Sequence, residues 1–126
     1  MVWSCLVSIL PGMAQTEKLT DYVNPFVGTD GYGNVYPGAQ IPFGGIQISP
    51  DTDSRFYDAA SGYKYNHLTL MGFSLTHLSG TGIPDLGDFL FIPGTGEMKL
   101  EPGTHEDPDQ GYRSRYSHDK EWASPN

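Results

Sequence analysis

The chain has 126 residues, a formal net charge of -8 at pH 7 and an isoelectric point near 4.6, a balance that argues against nucleic acid or an anionic membrane surface as partner. The length suits one small domain, and no segment reaches the roughly 18 uninterrupted apolar residues that a membrane-spanning helix needs. Apolar residues make up 37% and aromatics 13%, with 16 Gly and 10 Pro, which fits many short strands and turns and predicts an all-β fold rather than a helical bundle.

Residues 2–10 form an apolar core followed by Pro11, Gly12, Met13, Ala14 and Gln15. Gly12 and Ala14 supply the small residues that signal peptidase requires, so residues 1–14 read as a secretory signal cleaved after Ala14. The first basic residue is Lys18, and the basic leader of such a signal is therefore expected upstream of Met1. Export to the periplasm or the medium follows. The rival reading, a lipoprotein anchored at Cys5, is opposed by the bulk of Trp3 and by the distance from Cys5 to the mature sequence. Cleavage after Ala14 leaves no cysteine, so no disulfide is expected in the mature chain.

Residues 15–20 read as a polar lead-in and 21–126 as the domain. Residues 22–27 predict an opening strand or extended segment ended by Gly28. Residues 29–40 interleave Gly31, Gly33, Pro37 and Gly38 with Tyr32, Asn34 and Tyr36, which is turn chemistry carrying aromatic rings. A strand is expected over 43–49, closed by Pro50, and then a polar, exposed loop over 51–61. Tyr63, Tyr65, Leu68, Leu70, Phe73 and Leu75 show the period-2 apolarity of a strand. Residues 88–92 predict a strand stopped by Pro93 and Gly94, with 97–100 as its hairpin partner across Gly94, Thr95 and Gly96. After an acidic loop at 102–109, residues 112–118 alternate as another strand, and Glu121, Trp122 and Ala123 begin a further element. Phe26, Phe43, Phe73, Phe89 and Phe91 are the candidate core.

Several small motifs fail on their chemistry. Asp51, Thr52 and Asp53 open like a calcium loop, but Arg55 stands where an oxygen ligand belongs and no Gly occupies the sixth position, so they read as a solvated turn. Leu78, Ser79 and Gly80 lack the glycine of a nucleophile elbow, and one short loop does not fold His77, Ser79 and Asp85 into a triad. Gly28, Gly31, Gly33 and Gly38 miss the dinucleotide and P-loop spacings. His67, His77, His105 and His118 show no pair at zinc-ligand spacing. His77 stays open to two readings, a ring bonded to a loop carbonyl or one facing a cleft and bonding a sugar hydroxyl. Asp85 and Asp88 either accept vicinal hydroxyls or brace their own turn. The loop aromatics Tyr32, Tyr36, Phe56, Tyr57 and Trp122 include rings on which a sugar face can stack.

The run 72–88, GFSLTHLSGTGIPDLGD, together with VNPFVGT at 23–29 and PGAQIPFG at 37–44, resembles the amino-terminal domain of glycoside hydrolase family 92, the exo-acting α-mannosidases. SPDT at 49–52, SGYKY at 61–65 and GYRSRYSH at 111–118 are similar to the family's pattern in the same order. The resemblance covers 21–126 and implies an amino-terminal β-sandwich, supersandwich-like and incomplete here at its C-terminal side, packed on an (α/α)6 barrel. It further implies a calcium ion held mainly by the barrel, a glutamic acid that protonates the leaving oxygen, and an aspartate that activates water with inversion, in keeping with the paired carboxylates of glycosidases. No catalytic or metal-binding residue is assigned to this chain. The resemblance instead makes His77, Thr81, Gly82, Asp85 and Tyr57 candidates for substrate binding, with mannose-containing glycans and the barrel as partners. Leu75 and Ile83 depart from the family's commoner residues, which bears on fine specificity. The rival readings are a stand-alone carbohydrate-binding module and a fragment without a stable fold. A sandwich commonly takes about seven strands, more than the five or six counted here.

Overall fold

The computed structural model describes residues 17–42, 44–53, 55–80, 83–84 and 87–121. The signal-peptide segment, Phe43, Thr81, Gly82, Asp85 and Trp122 lie outside the described residues. Among the described residues five short strands pair in two antiparallel sheets: β1 (Ser49–Asp51), β3 (Gly72–Ser74) and β4 (Leu90–Phe91) in the order β1-β3-β4, and β2 (Thr69–Leu70) with β5 (Ser114–Arg115). Four 3-10 turns, at Leu19–Tyr22, Tyr57–Ala59, Pro108–Gln110 and His118–Lys120, punctuate the loops, and there is no α-helix among the described residues. The fold class is all-β, as the composition requires.

The strand or extended segment expected over 22–27 gives way to a turn at 25–28. Pro25 removes a ladder donor, the Asn24 side chain accepts from the Phe26 N–H at 2.9 Å, and Val27 N–H closes a turn onto the Asn24 carbonyl at 3.1 Å. Asn and Pro here act as turn formers. The strand expected at 43–49 starts only at Ser49 and runs through Pro50 to Asp51, a placement Pro tolerates because β1 is an edge of its sheet. The long alternating segment after Tyr63 divides at Met71, whose N–H bonds the Asp51 carbonyl at 2.7 Å. The part before it pairs with β5 and the part after it with β1.

Residues 97–100 do not partner β4. Instead β4 pairs with β3, placing Phe91 opposite Phe73 and Leu90 opposite Ser74. An aromatic cross-strand pair outweighs what Glu97 and Lys99 could offer from a local hairpin.

Burial inverts the expected core. Phe73, Phe89 and Phe91 are 41%, 67% and 59% exposed, whereas Asp51, Thr52, Asp53 and Ser61 of the loop expected in solvent are buried. The alternation of β1 and β3 explains this directly. Ser49 pairs with Ser74 and Asp51 with Gly72 on the buried side, while Pro50, Phe73 and Phe91 stand in register on the other. The described domain is thus organised around a polar interior, with Tyr36, Ala59, Tyr63 and Met71 as its buried apolar residues.

Candidate functional site

The polar interior has two nodes, both built on the Asp51-Thr52-Asp53 run that the sequence presents as a solvated turn. Asp51 closes β1 and Gly62 lies across from it, with the Gly62 carbonyl accepting from both Thr52 N–H at 2.8 Å and Asp53 N–H at 3.2 Å. Gly62 sits at φ +90°, and a Cβ there would stand 2.2 Å from Asp51 Oδ1. Only glycine lets the 57–62 turn come this close to the carboxylate.

At the first node His77 is 3% exposed. Its Nδ1 donates to the Gln47 carbonyl at 2.6 Å, and its Nε2 lies 2.9 Å from Asp51 Oδ1 and 3.0 Å from Ser74 Oγ. Its backbone N–H donates to Gln47 Oε1 at 3.3 Å, and the Tyr36 ring packs against the imidazole with centroids 4.9 Å apart. Both ring nitrogens are engaged inside the protein. Although Ser, His and Asp meet here, Ser74 and Asp51 address the same imidazole nitrogen, whereas a nucleophilic triad places the nucleophile and the orienting carboxylate on opposite nitrogens of the histidine. Ser74 is 2% exposed, so no substrate carbonyl can reach it.

This node anchors the start of the 78–88 loop. Thr76 Oγ1 accepts from Gly87 N–H at 3.1 Å and donates to Asp88 Oδ2 at 3.1 Å, so the two ends of the loop are tied together. Gly80 N–H bonds the carbonyl of Asn34 at 2.7 Å. Asn34 is buried at φ +47°, and both polar atoms of its side chain lack a partner among the described residues. Asn is one of the few non-glycine residues that adopts this backbone region readily. Its carbonyl thereby reaches the 78–88 loop.

At the second node Asp53 is fully buried. Arg55 donates to it through Nε at 3.1 Å, through the second guanidinium nitrogen at 2.9 Å and through its backbone N–H at 2.9 Å. His105 Nε2 lies 3.1 Å away, and the buried Arg113 guanidinium approaches to 3.9 Å. Burial by itself would raise the Asp53 carboxyl, but the hydrogen bonds and charge of Arg55, with the charge of Arg113, overcome it and hold the group below the usual carboxylate range. Arg113 also donates to the Thr52 carbonyl and to Thr69 Oγ1. His67, bonded to Thr52 Oγ1 at 3.1 Å, packs its ring 4.1 Å from that of His105. Burial, then the neighbouring His105, pushes the His67 pKa below that of a free imidazole.

The candidate sugar-binding residues are therefore placed differently. Tyr57 is 55% exposed at the start of the Tyr57–Ala59 turn, next to Asp58, whose carboxylate pairs with buried Lys64. His77 is internal. Thr81, Gly82 and Asp85 lie outside the described residues. Sequence alone does not single out Asn34 and Gln47 as anchors of the 78–88 loop, and the signal it offers for Asn34 is an Asn directly after Gly33 in a turn segment.

Among the described residues no site fits a calcium ion. Calcium takes six to eight oxygens, yet Asp53 is committed to arginine and histidine, and Asp51 contributes a single unpartnered oxygen, Oδ2. No group of three His, Cys, Asp or Glu side chains could hold a metal among the described residues. Nor is any helix among them long and apolar enough to cross a membrane.

Residues 22–126 match the profile of the glycosyl hydrolase family 92 N-terminal domain. A solved family 92 glycosyl hydrolase, ccman5, superposes with a TM-score of 0.67 at 33% identity, covering 86% of this chain and 14% of that one. An uncharacterised secreted glycosidase of Arthroderma benhamiae is 36% identical over 73 residues, 57% of this chain and 9% of the relative. The chain thus spans about a tenth to a seventh of these proteins. With the all-β sheets seen here, the match over 22–126 establishes that the chain belongs to glycosyl hydrolase family 92, as a β-sandwich fragment of its N-terminal domain.

Proposed function

We propose that this chain is the substrate-positioning part of an exported, calcium-dependent, inverting exo-α-mannosidase acting on mannose-containing glycans. The match of residues 22–126 to the family 92 N-terminal domain carries this reading. The relative from Arthroderma benhamiae, named as secreted, supports export. In this reading the acid, the base and the calcium ligands belong to the (α/α)6 barrel of the longer polypeptide.

The chain's own contribution is geometric. The 78–88 loop bears Thr81, Gly82 and Asp85, the proposed sugar contacts, and its two ends are joined through Thr76. His77 acts as a positioning residue, because its ring ties the start of that loop to β1 and to Gln47. Fixing a loop before the sugar arrives lowers the ordering cost of binding. Tyr57 offers an exposed ring for stacking on a sugar face.

The test is a chimera in which residues 17–121 replace the matching part of ccman5. The expected result is hydrolysis of aryl α-mannosides, with β-mannose as the first product by proton NMR and loss of activity in EDTA. A folded chimera that cleaves no α-mannoside, while ccman5 does, refutes the reading.

A further inference from the structure

An apolar groove of about 770 Å³ runs beside Pro50 and Phe73, but the bond most open to covalent change lies elsewhere, in the exposed 28–35 turn. Asp30 and Gly31 there form the chain's one Asp-Gly pair. The carboxyl carbon of an aspartate can be attacked by the backbone nitrogen of the next residue, because the ring that closes has five members. A side chain on that next residue ordinarily crowds the approach, and glycine has none.

The local geometry favours the attack. Gly31 N lies 2.7 Å from Asp30 Oδ1, so the nitrogen is held against the carboxyl group it would attack, and such contact replaces a search through chain conformations. Gly31 sits at φ +59°, where a Cβ would find nothing within 4 Å, so the space around it is open. Asp30 and Gly31 are both exposed. Other aspartates are placed differently. Asp51 and Asp53 are buried and bonded to His77 and to Arg55, Asp58 is paired with Lys64, and Asp107 precedes Pro108, whose nitrogen has no proton to lose.

We propose that Asp30 is a site of spontaneous isomerisation to isoaspartate. Gly31 N bonds to Asp30 Cγ, and its proton and the carboxyl hydroxyl leave together as one water, giving a cyclic imide. Water then adds back. Cleavage between Gly31 N and Cγ restores aspartate, whereas cleavage between Gly31 N and the main-chain carbonyl carbon of Asp30 leaves the chain running through Cβ and Cγ. Water is released and consumed in equal number, so no oxidant, reductant or cofactor takes part.

Isoaspartate puts one more methylene in the backbone and turns the main-chain carbonyl of Asp30 into a free carboxylate. That carbonyl accepts from Gly33 N–H at 3.2 Å, and the turn it closes delivers Asn34, whose own carbonyl holds Gly80 N–H at 2.7 Å. The change therefore slackens the tie between this turn and the 78–88 loop. Its effect on sugar binding rests on the proposed function above, and the isomerisation itself does not.

The purified chain is incubated at neutral pH and sampled over weeks beside a free peptide of residues 28–33. Isoaspartate is counted by isoaspartyl methyltransferase labelling and located by electron-transfer fragmentation. Asp30 is expected to convert about tenfold or more faster than any other aspartate of the folded chain, since no other precedes glycine and the turn holds nitrogen and carboxyl together. Asp30→Glu, an exposed change that keeps the charge, is expected to abolish the label, because the ring it would close has six members and forms far more slowly. Labelling spread evenly over the aspartates, or none at Asp30 in the time that converts the peptide, overturns the inference. If the isolated chain does not hold its fold, the same comparisons are made in the ccman5 chimera. A chimera that isomerises at Asp30 with unchanged KM for α-mannosides counts against the loop's proposed part in binding and leaves the modification standing.

Discussion

Asp53 meets two arginines of opposite character, and the difference between them yields a sharp prediction. Arg55 makes the better hydrogen bonds, but its side chain is 47% exposed, while the Arg113 side chain is completely buried and lies 3.9 Å away. An exposed ion pair contributes about 0–1 kcal/mol because water screens it. Leaving a buried charge without its counter-charge costs about 3–5 kcal/mol. Asp53→Asn keeps the shape of the side chain and removes the charge that Arg113 relies on, so it should cost about 3–5 kcal/mol. Arg55→Ala leaves Asp53 facing Arg113 and His105 and should cost about 1 kcal/mol or less.

Urea unfolding followed by circular dichroism at pH 7 measures both. With a slope of about 1–3 kcal/mol per molar urea for a small protein, Asp53→Asn should lower the midpoint by about 1 M or more, at least twice the shift of Arg55→Ala. The acid limb gives an independent check. The folded Asp53 carboxyl titrates below its unfolded value of 3.8, so its contribution is present above that pH and is lost as pH falls further. Wild type should lose stability below pH 4 more steeply than Asp53→Asn. Equal midpoint shifts for the two variants, or a larger one for Arg55→Ala, would refute the reasoning that burial, not hydrogen-bond count, decides this network.

The other predictions address the two nodes and the proposed ligand. Gly62→Ala forces a side chain into φ +90° and a Cβ to 2.2 Å from Asp51 Oδ1, so a loss above about 2 kcal/mol is expected, of which roughly 1–2 is the backbone term alone; an unchanged urea midpoint would contradict it. Because burial and His105 lower the folded pKa of His67, the unfolded chain takes up the proton first, and stability should fall as pH drops below about 6.5. A thermal midpoint that is flat or rising from pH 7.5 to 5.5 would speak against that sign. Tyr57→Ala, at an exposed ring, should leave stability within about 0.5 kcal/mol and raise KM for α-mannosides in the chimera with kcat little changed; a matching fall in kcat would show that the ring acts on something other than ground-state binding.

The fold class and the strands through Phe73, Phe91 and Ser114 were legible because period-2 apolarity and Gly/Pro punctuation report local backbone shape. Which face of each strand would be buried was not. Asp51, Thr52 and Asp53 look solvated because their partners His77, His105 and Arg113 come from distant parts of the chain, and nothing in a local window announces a counter-charge so far away. The same limit hid the meeting of His67 and His105, whose rings are 4.1 Å apart although their sequence spacing matches no ligand pattern. The hairpin expected at 88–100 failed for a related reason. A Gly-rich turn permits local pairing, and a distant strand with a matching aromatic, Phe73 against Phe91, displaces it.

That inversion also bears on stability. A buried ion pair such as Asp53–Arg113 is costly to break yet contributes little in net terms, because desolvation offsets its attraction. The polar interior therefore enforces one arrangement of β1, the 57–62 turn and the 78–88 loop more than it drives the chain to fold. The usual driving force, burial of apolar surface at about 25 cal/mol per Å², is left unused along Pro50, Phe73 and Phe91 and in the adjoining groove. The prediction is that seating the chain in the ccman5 polypeptide raises the stability of the His77 and Asp53 nodes without touching either. Backbone amide exchange at Thr52, Asp53 and Lys64, whose N–H groups bond within the polar interior, should slow in the ccman5 chimera relative to the chain alone. Unchanged exchange at all three would mean that the polar interior is self-sufficient and that the open sheet face has no part in holding it.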